Sequence, residues 1–277
     1  MKKKLIIIIA AVLLLAAAGL FWGNKSIEVT RYRLLPENLP ESFRGFRIVQ
    51  VSDLHNTDFG GRLIEKIAAE KPDIIVITGD LADYYSTDIP VAVDFAKKVC
   101  EIAPVYYVTG NHEYRIGRYE ELKAGLEAAG VEILENETVE ISRNGEKISL
   151  TGVNDPAFTG SKLIDEQYIA FSAELKKLPA VNGTNILLSH RPEFFSLYAE
   201  YGFDIVFCGH AHGGQVRLPF IGGVFTPDQG FFPKYSEGVH SSGKTKMVIS
   251  RGLGNSAFPL RIFNRPELIV CDLGEEK

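Results

Sequence analysis

Residues 46–55 read Phe46-Arg47-Ile48-Val49-Gln50-Val51-Ser52-Asp53-Leu54-His55, a short Ile- and Val-rich run that ends in a carboxylate and an imidazole. An apolar run of that length bounded by polar residues predicts a strand buried on both faces. The pattern recurs four times. Asp73–Thr78 leads into Gly79-Asp80-Leu81-Ala82-Asp83, and Pro104–Thr109 into Gly110-Asn111-His112-Glu113. Asn185–Leu188 leads into Ser189-His190, and Asp204–Cys208 into Gly209-His210-Ala211-His212. Helical periodicity fills the gaps between the first three, over Arg62–Glu70 and Val91–Ile102, and continues in Tyr119–Ala129, which Gly130 ends. Strand–helix alternation of this kind implies right-handed βαβ units.

Outward from these runs, Ser26–Leu35 reads as a strand and Pro36–Gly45 as a loop. Thr138–Ser142, Asn144-Gly145 and Lys147–Thr151 form a hairpin signal with a favoured two-residue turn. Asp165–Leu178 and Pro192–Tyr201 are further helices, the second with proline in its first turn. Val216–Leu273 is rich in Gly, Pro and short β-prone runs, with no long helix. Residues 27–277 are therefore expected to form one α+β domain of mixed α/β character with an added β-rich half.

The chemistry sits at the strand ends. Open α/β sheets bind ligands beyond the carboxyl ends of their strands, so five such ends point to one crevice. His55, His112, His190, His210 and His212 are five of the six histidines, and all lie in these clusters. Imidazole with carboxylate suits zinc, iron or manganese, and the absence of cysteine argues against a thiolate structural site. Asp-x-His and His-x-His in extended chain send both side chains to one side, so each pair is expected to grip one ion. Seven candidate ligands exceed what one tetrahedral ion needs; two ions sharing a carboxylate would use them all.

Asp53-x-His55, Gly79-Asp80-x-x-Asp83, Gly110-Asn111-His112-Glu113, Ser189-His190 and Gly209-His210-x-His212 resemble, in order and spacing, the five signatures of the calcineurin-like metallophosphoesterases. The resemblance implies a four-layer α/β/β/α sandwich of two mixed sheets. It implies one metal held by Asp53, His55, Asp80 and His212, and a second held by Asp80, Asn111, His190 and His210. His112 then assists the leaving group, with Asp83 orienting its imidazole, while a metal-bridging hydroxide attacks phosphorus. The N-terminal apolar segment, Phe46–His55 and the tail Ser250-Arg251-Gly252-Leu253-Gly254 look like the membrane-associated bacterial phosphodiesterase branch. Relatives in that neighbourhood act on UDP-diacylglucosamine or on simple phosphodiesters, so a lipid-linked phosphoester is among the substrates the resemblance admits. Where protein phosphatases of the superfamily place arginine, this chain has Tyr84, which points away from that activity.

The chain has 277 residues, 45% hydrophobic and 23% charged, which excludes disordered and collagen-like polymers. The formal net charge is −5, and with four lysines and no acid in residues 1–26 the rest carries −9. An acidic body with no Lys/Arg-rich run argues against extended nucleic-acid tracking. A non-catalytic metal-binding scaffold of the same fold is the rival reading, and the presence of His112 beside all seven candidate ligands argues against it. From Leu5 to Trp22 only Gly19 interrupts an apolar run of 18 residues. As a helix it spans about 27 Å, close to a hydrocarbon core of about 30 Å. The expected organisation is a cytoplasmic tip over 1–4, a transmembrane anchor or signal segment over 5–22, and the catalytic domain over 27–277. Lysines at positions 2–4 keep the N-terminus cytosolic and the domain outside, tethered if the segment is retained and secreted if it is cut after Ala16–Ala18. Cys100, Cys208 and Cys271 are read as buried free thiols. The Phe-rich stretch Phe220–Phe232 is read as core or loop packing, with a membrane-facing lip as the alternative.

Overall fold

A computed structural model describes residues 2–179 and 182–274; Met1 of the expected tip and residues 275–277 of the expected domain lie outside them. Helix α1 (Lys2–Lys25) is long and apolar enough to cross a membrane. Strand β1 (Glu28–Leu34) follows, then β2 (Phe46–Val51), α2 (Arg62–Glu70), β3 (Ile74–Thr78), α3 (Ile89–Cys100) and β4 (Val105–Val108). Helices α4 (Asn111–Arg115) and α5 (Tyr119–Ala128) precede β5 (Glu132–Ile133) and the hairpin β6 (Glu137–Arg143) and β7 (Glu146–Gly152). Then come α6 (Ile164–Leu175), β8 (Asn185–Leu188), α7 (Phe195–Glu200) and β9 (Ile205–Cys208). Four two-residue strands follow: β10 (Arg217–Leu218), β11 (Gly222–Gly223), β12 (Phe225–Thr226) and β13 (Gly230–Phe231). The last three are β14 (Gly238–Ser242), β15 (Thr245–Ile249) and β16 (Glu267–Leu273).

Two mixed six-stranded sheets result, ordered β1-β16-β2-β3-β4-β5 and β14-β15-β9-β8-β7-β6. The β2, β3 and β4 strands pair in parallel across α2 and α3, as the alternation predicts. Period-two side-chain alternation explains the layers, because successive residues of a strand face opposite ways. Val49, Val51, Ile75 and Ile77 pack with Leu63 of α2, Phe95 of α3 and Leu122 of α5. Their neighbours Ile48, Ile74 and Val76 face the second sheet, meeting Ile148, Leu188 and Phe207. On the far face Leu187, Val206 and Met247 pack under Phe171 of α6 and Tyr198 of α7. Three apolar cores thus separate four layers in the order α/β/β/α.

Some boundaries differ from the sequence reading. Helix α3 starts at Ile89 because Asp88 accepts a hydrogen bond from the Val91 amide (3.2 Å) and Pro90 fits the first turn. The expected Pro192–Tyr201 helix divides into a 3₁₀ turn over Pro192–Phe194 and α7. The Phe-rich stretch is not core: Phe220, Phe225, Phe231 and Phe232 are all exposed. All three cysteines are free as expected, but only Cys208 and Cys271 are buried; Cys100, at the end of α3, is half-buried.

Candidate metal centre

The carboxyl ends of β2, β3 and β4 from one sheet and of β8 and β9 from the other open onto a single site. Asp53, His55, Asp80, Asn111, His190, His210 and His212 are all buried there, as are Asp83 and His112. The backbone needed to bring them together is unusual. Asp53, His55, Asp80, His210 and His212 all have φ between 47° and 65°, a region that costs a non-glycine residue energy and collects at functional sites. Extended Asp-x-His and His-x-His segments are therefore not what the chain uses. Left-handed turns split His210 from His212, so that His-x-His serves two clusters rather than one.

Asp53, His55, Asp80 and His212 form one cluster; Asp80, His190 and His210 form another. In the first, His55 Nε2 lies 3.1 Å from His212 Nε2 and 3.7 Å from Asp80 Oδ2, and His212 Nε2 lies 3.2 Å from Asp53 Oδ1. Donors about 2.0–2.2 Å from one tetrahedral ion stand roughly 3.4 Å apart, so this spacing fits a cation. In the second, His190 Nδ1 lies 2.7 Å from the Thr78 carbonyl, which places its proton on Nδ1. Its Nε2 faces Asp80 Oδ2 at 3.2 Å, so a proton or a cation must sit between them; against its burial, Asp80 pushes the His190 imidazole up to about 10. His190 Nε2 and Asn111 Oδ1 are both buried without a hydrogen-bond partner. Such atoms fit a cation, because an unpaired buried acceptor is costly.

A polar framework holds the carboxylates. Asp53 Oδ2 accepts from Ser52 Oγ (2.6 Å), and Asp53 also accepts from the His210 amide (3.1 and 3.2 Å). Asp80 Oδ1 accepts from the His112 amide (2.8 Å), leaving Oδ2 turned to both clusters. Glu113, fully buried, accepts from the amides of Asp80 (2.9 Å), Gly110 (2.7 Å) and Ala82 (3.1 Å). Burial first, then Asp80, pushes the Glu113 carboxyl up to about 7. For Asp53 burial acts upward, but the facing His212 outweighs it and holds the carboxyl well below its usual range. Asp80 is likewise lowered against its burial, with His190 the main opposing group. Both carboxylates are thus ionised in a buried place where the facing imidazoles carry the compensating positive charge, the role a bound cation would take over. Gly79 permits the crowding: a Cβ there would stand 2.7 Å from Gly110 Cα and from His190 Nδ1.

Asp83 Oδ1 stands 3.2 Å from His112 Nδ1 and 3.3 Å from His55 Nδ1, so one carboxylate faces both imidazoles. His112 Nε2 is 4.0 Å from Asp80 Oδ2 and 3.4 Å from Ser256 Oγ. The Tyr84 amide donates to His112 Nδ1 (2.9 Å). Burial lowers the His112 pKa, but Asp80 and the adjacent Asp83 outweigh it and raise it. Tyr84 and Tyr85, both exposed, lie with ring centroids 6.4 and 5.9 Å from that of His112.

Arginine forks suit phosphate oxygens, but Arg191, Arg251 and Arg261 are already engaged within the fold. Arg191 pairs with Asp155 (2.6 Å) and Asp228, Arg251 with Glu267 (2.9 Å) and Glu28 (3.0 Å). Arg261 is buried, donates to the carbonyls of Gly254 and Arg251, and reaches His212 Nδ1 at 3.3 Å. Asp228 is the residue that sequence reasoning missed: its Oδ2 lies 3.2 Å from His210 Nε2. In the sequence, Pro227-Asp228-Gln229-Gly230 reads only as a turn, with no spacing that ties it to His210.

Fold and site together define a metal-dependent phosphoester hydrolase. The chain belongs to the calcineurin-like phosphoesterase family, whose profile matches residues 46–214. It is 30% identical over 263 residues to the uncharacterized metallophosphoesterase YkuE of Bacillus subtilis, covering 89% of this chain and 85% of that protein. It is 27% identical over 256 residues to the phosphodiesterase YaeI of Escherichia coli, covering 89% and 88%. A Danio rerio transmembrane protein with metallophosphoesterase domain is 28% identical over 247 residues, covering 84% of this chain and 54% of that protein.

Proposed function

We propose that the chain is a membrane-anchored, two-metal hydrolase of phosphodiester or pyrophosphate bonds. The observation that carries this reading is Asp80, whose Oδ2 belongs to both clusters, 3.7 Å from His55 Nε2 and 3.2 Å from His190 Nε2. Asp53, His55, Asp80 and His212 hold one cation and Asp80, Asn111, His190 and His210 the other. Bound there, the pair supplies Lewis acidity toward the phosphoryl oxygens and an acidified water. Asp83 Oδ1 stands 3.3 Å from His55 Nδ1, where it would accept Nδ1–H and leave the Nε2 lone pair for the centre. His112 Nδ1 accepts from the Tyr84 amide (2.9 Å); protonated, it would instead turn Nδ1–H to Asp83 Oδ1, 3.2 Å away, and aim Nε2–H inward. As the bond from phosphorus to the leaving oxygen breaks and one to water oxygen forms, the His112 Nε2 proton passes to the leaving oxygen, the water gives up one proton to solvent, and His112 takes a proton back from solvent before the next turnover. A diester gives a monoester and an alcohol.

The anchor reading rests on the 24-residue helix α1, with its apolar run from Leu5 to Trp22, and is consistent with the transmembrane name of the zebrafish relative. The catalytic domain then lies on the extracytoplasmic side. A lipid pyrophosphate such as UDP-diacylglucosamine is the finer alternative among substrates. His112→Ala tests the mechanism: metal content is expected to stay unchanged while turnover of an unactivated diester falls about 10²–10⁴-fold. Full activity of that variant would remove His112 from the reaction.

A further inference from the structure

Two residues, Ser26 and Ile27, separate the end of α1 from β1. No flexible linker intervenes, and the helix foot is bound to the body. Asn24 Nδ2 donates to the Arg261 carbonyl (2.9 Å), and the Arg261 amide donates to Asn24 Oδ1 (2.8 Å). The Arg265 guanidinium stacks over the Trp22 ring at 4.7 Å, a pairing suited to the lipid–water boundary. The 255–263 loop is therefore fixed at the place where the helix leaves the bilayer.

That loop is apolar where it is exposed. Phe258, Leu260 and Phe263 are turned outward, Phe263 with 75% of its surface free. Ile262 pairs with Val216, and the Arg217 amide donates to the Ile262 carbonyl (2.9 Å), so the adjoining hairpin with exposed Phe220 is joined to the same patch. Between α1 and the loop runs a groove of about 500 Å³ lined by Leu20, Phe21, Leu253, Pro259 and Leu260 among others. The loop also reaches the metal centre from its other side: Ser256 lies beside His112 Nε2, and Arg261 beside His212 Nδ1.

We infer that Phe258, Leu260 and Phe263 insert into the outer leaflet of the membrane that α1 spans. The metal centre then meets phosphoesters at the headgroup level of that bilayer. The partner is the lipid bilayer, and the substrate class is a phosphoester carried on a lipid headgroup. This rests on the anchor and hydrolase readings above. Isolated apolar side chains on a surface need no explanation, but a contiguous exposed patch marks an interaction site. Here the helix that adjoins the patch specifies the partner.

The test uses the full chain reconstituted in vesicles of phosphatidylethanolamine and phosphatidylglycerol. An environment-sensitive fluorophore is attached at Phe263→Cys, with Glu140→Cys on exposed β6 as control, both in a Cys100→Ser background. The expected result is a blue shift and quenching by nitroxide-labelled lipids at position 263 and neither at 140. Equal quenching, or none at 263, overturns the inference. So does a mature chain that has lost residues 1–25, read by mass spectrometry.

Hydrolysis is then compared for methyl p-nitrophenyl phosphate in solution and hexadecyl p-nitrophenyl phosphate in the vesicles, with Mn²⁺ present. The triple variant Phe258→Ser, Leu260→Ser, Phe263→Ser is expected to keep the soluble rate within about twofold. It should lose at least about tenfold on the vesicle-borne ester, since three apolar side chains no longer enter lipid. Equal rates of wild type and variant on the vesicle ester overturn the lipid assignment. If the wild type cleaves neither ester, the hydrolase reading and the lipid substrate class fall together, whereas membrane insertion is decided separately by the quenching.

Discussion

Glu113→Ala asks how much of the centre depends on a residue that is not among the candidate ligands. The carboxylate accepts three backbone N–H groups, from Asp80, Ala82 and Gly110, all in the interior. Orphaning a buried donor costs about 1–3 kcal/mol, so three give roughly 3–9 kcal/mol. Removing the side chain also relieves a carboxyl whose burial beside Asp80 has pushed its pKa up to about 7. The lower end of the range, about 3 kcal/mol, is therefore the expected net loss. For a domain of this size each kcal/mol lowers Tm by about 2–4 °C, which predicts a fall of about 6–12 °C. The assay is thermal unfolding of the full chain in detergent. Glu113→Gln is the companion: rotated with its amide nitrogen toward Ala82, it still accepts from Asp80 and Gly110 and forfeits one bond, so its shift should be less than half as large. Loosening the Asp80 and Gly110 loops should also weaken Mn²⁺ binding about 10–100-fold by calorimetric titration. A Glu113→Ala protein melting within about 2 °C of wild type would refute this account of how the loops are held.

Asp80→Ala should abolish loading of both ions at once, because one oxygen faces both clusters; metal analysis of the purified protein showing one tightly held ion would count against the shared role. Asp228→Ala should lower metal affinity about 10–100-fold by releasing His210 Nε2, with direct titration as the measure. Gly209→Ala would put a Cβ 2.0 Å from Ser52 Oγ and 2.4 Å from Asp53 Oδ2; overpacking of this kind predicts a loss of about 1–3 kcal/mol, visible as a lower Tm.

Much of this molecule is legible in one dimension because the signals are local. Ile48–Val51 and Ile74–Thr78 announce buried strands by composition and length, and α2 falls on Arg62–Glu70 as its periodicity predicts. The residue types that gather at the centre are also visible, since each follows directly on a strand. The partition of donors is not. His210 and His212 read as a pair, and only their left-handed backbone, with φ of 65° and 47°, sends them to different clusters. Asp228 is invisible because its partner lies in another element, reached only when the hairpin of β12 and β13 folds back onto the turn His212–Gly214 that follows β9.

The exposed aromatics follow the same division. A sequence says that Phe220, Phe231 and Phe263 are apolar, which by itself favours burial. Whether burial happens depends on which surfaces are left for them, and the three cores are already filled by the strands and helices. What the sequence determined alone was the chemistry: which side chains can hold cations, and that a strand end presents each of them. What only the tertiary structure decided was assembly: two sheets meeting so that Asp80 faces both donor sets, and a helix foot that fixes an apolar loop beside them. The physical reason is that chemical type and periodicity are properties of neighbours along the chain, whereas shared ligands and exposure depend on residues far apart in it.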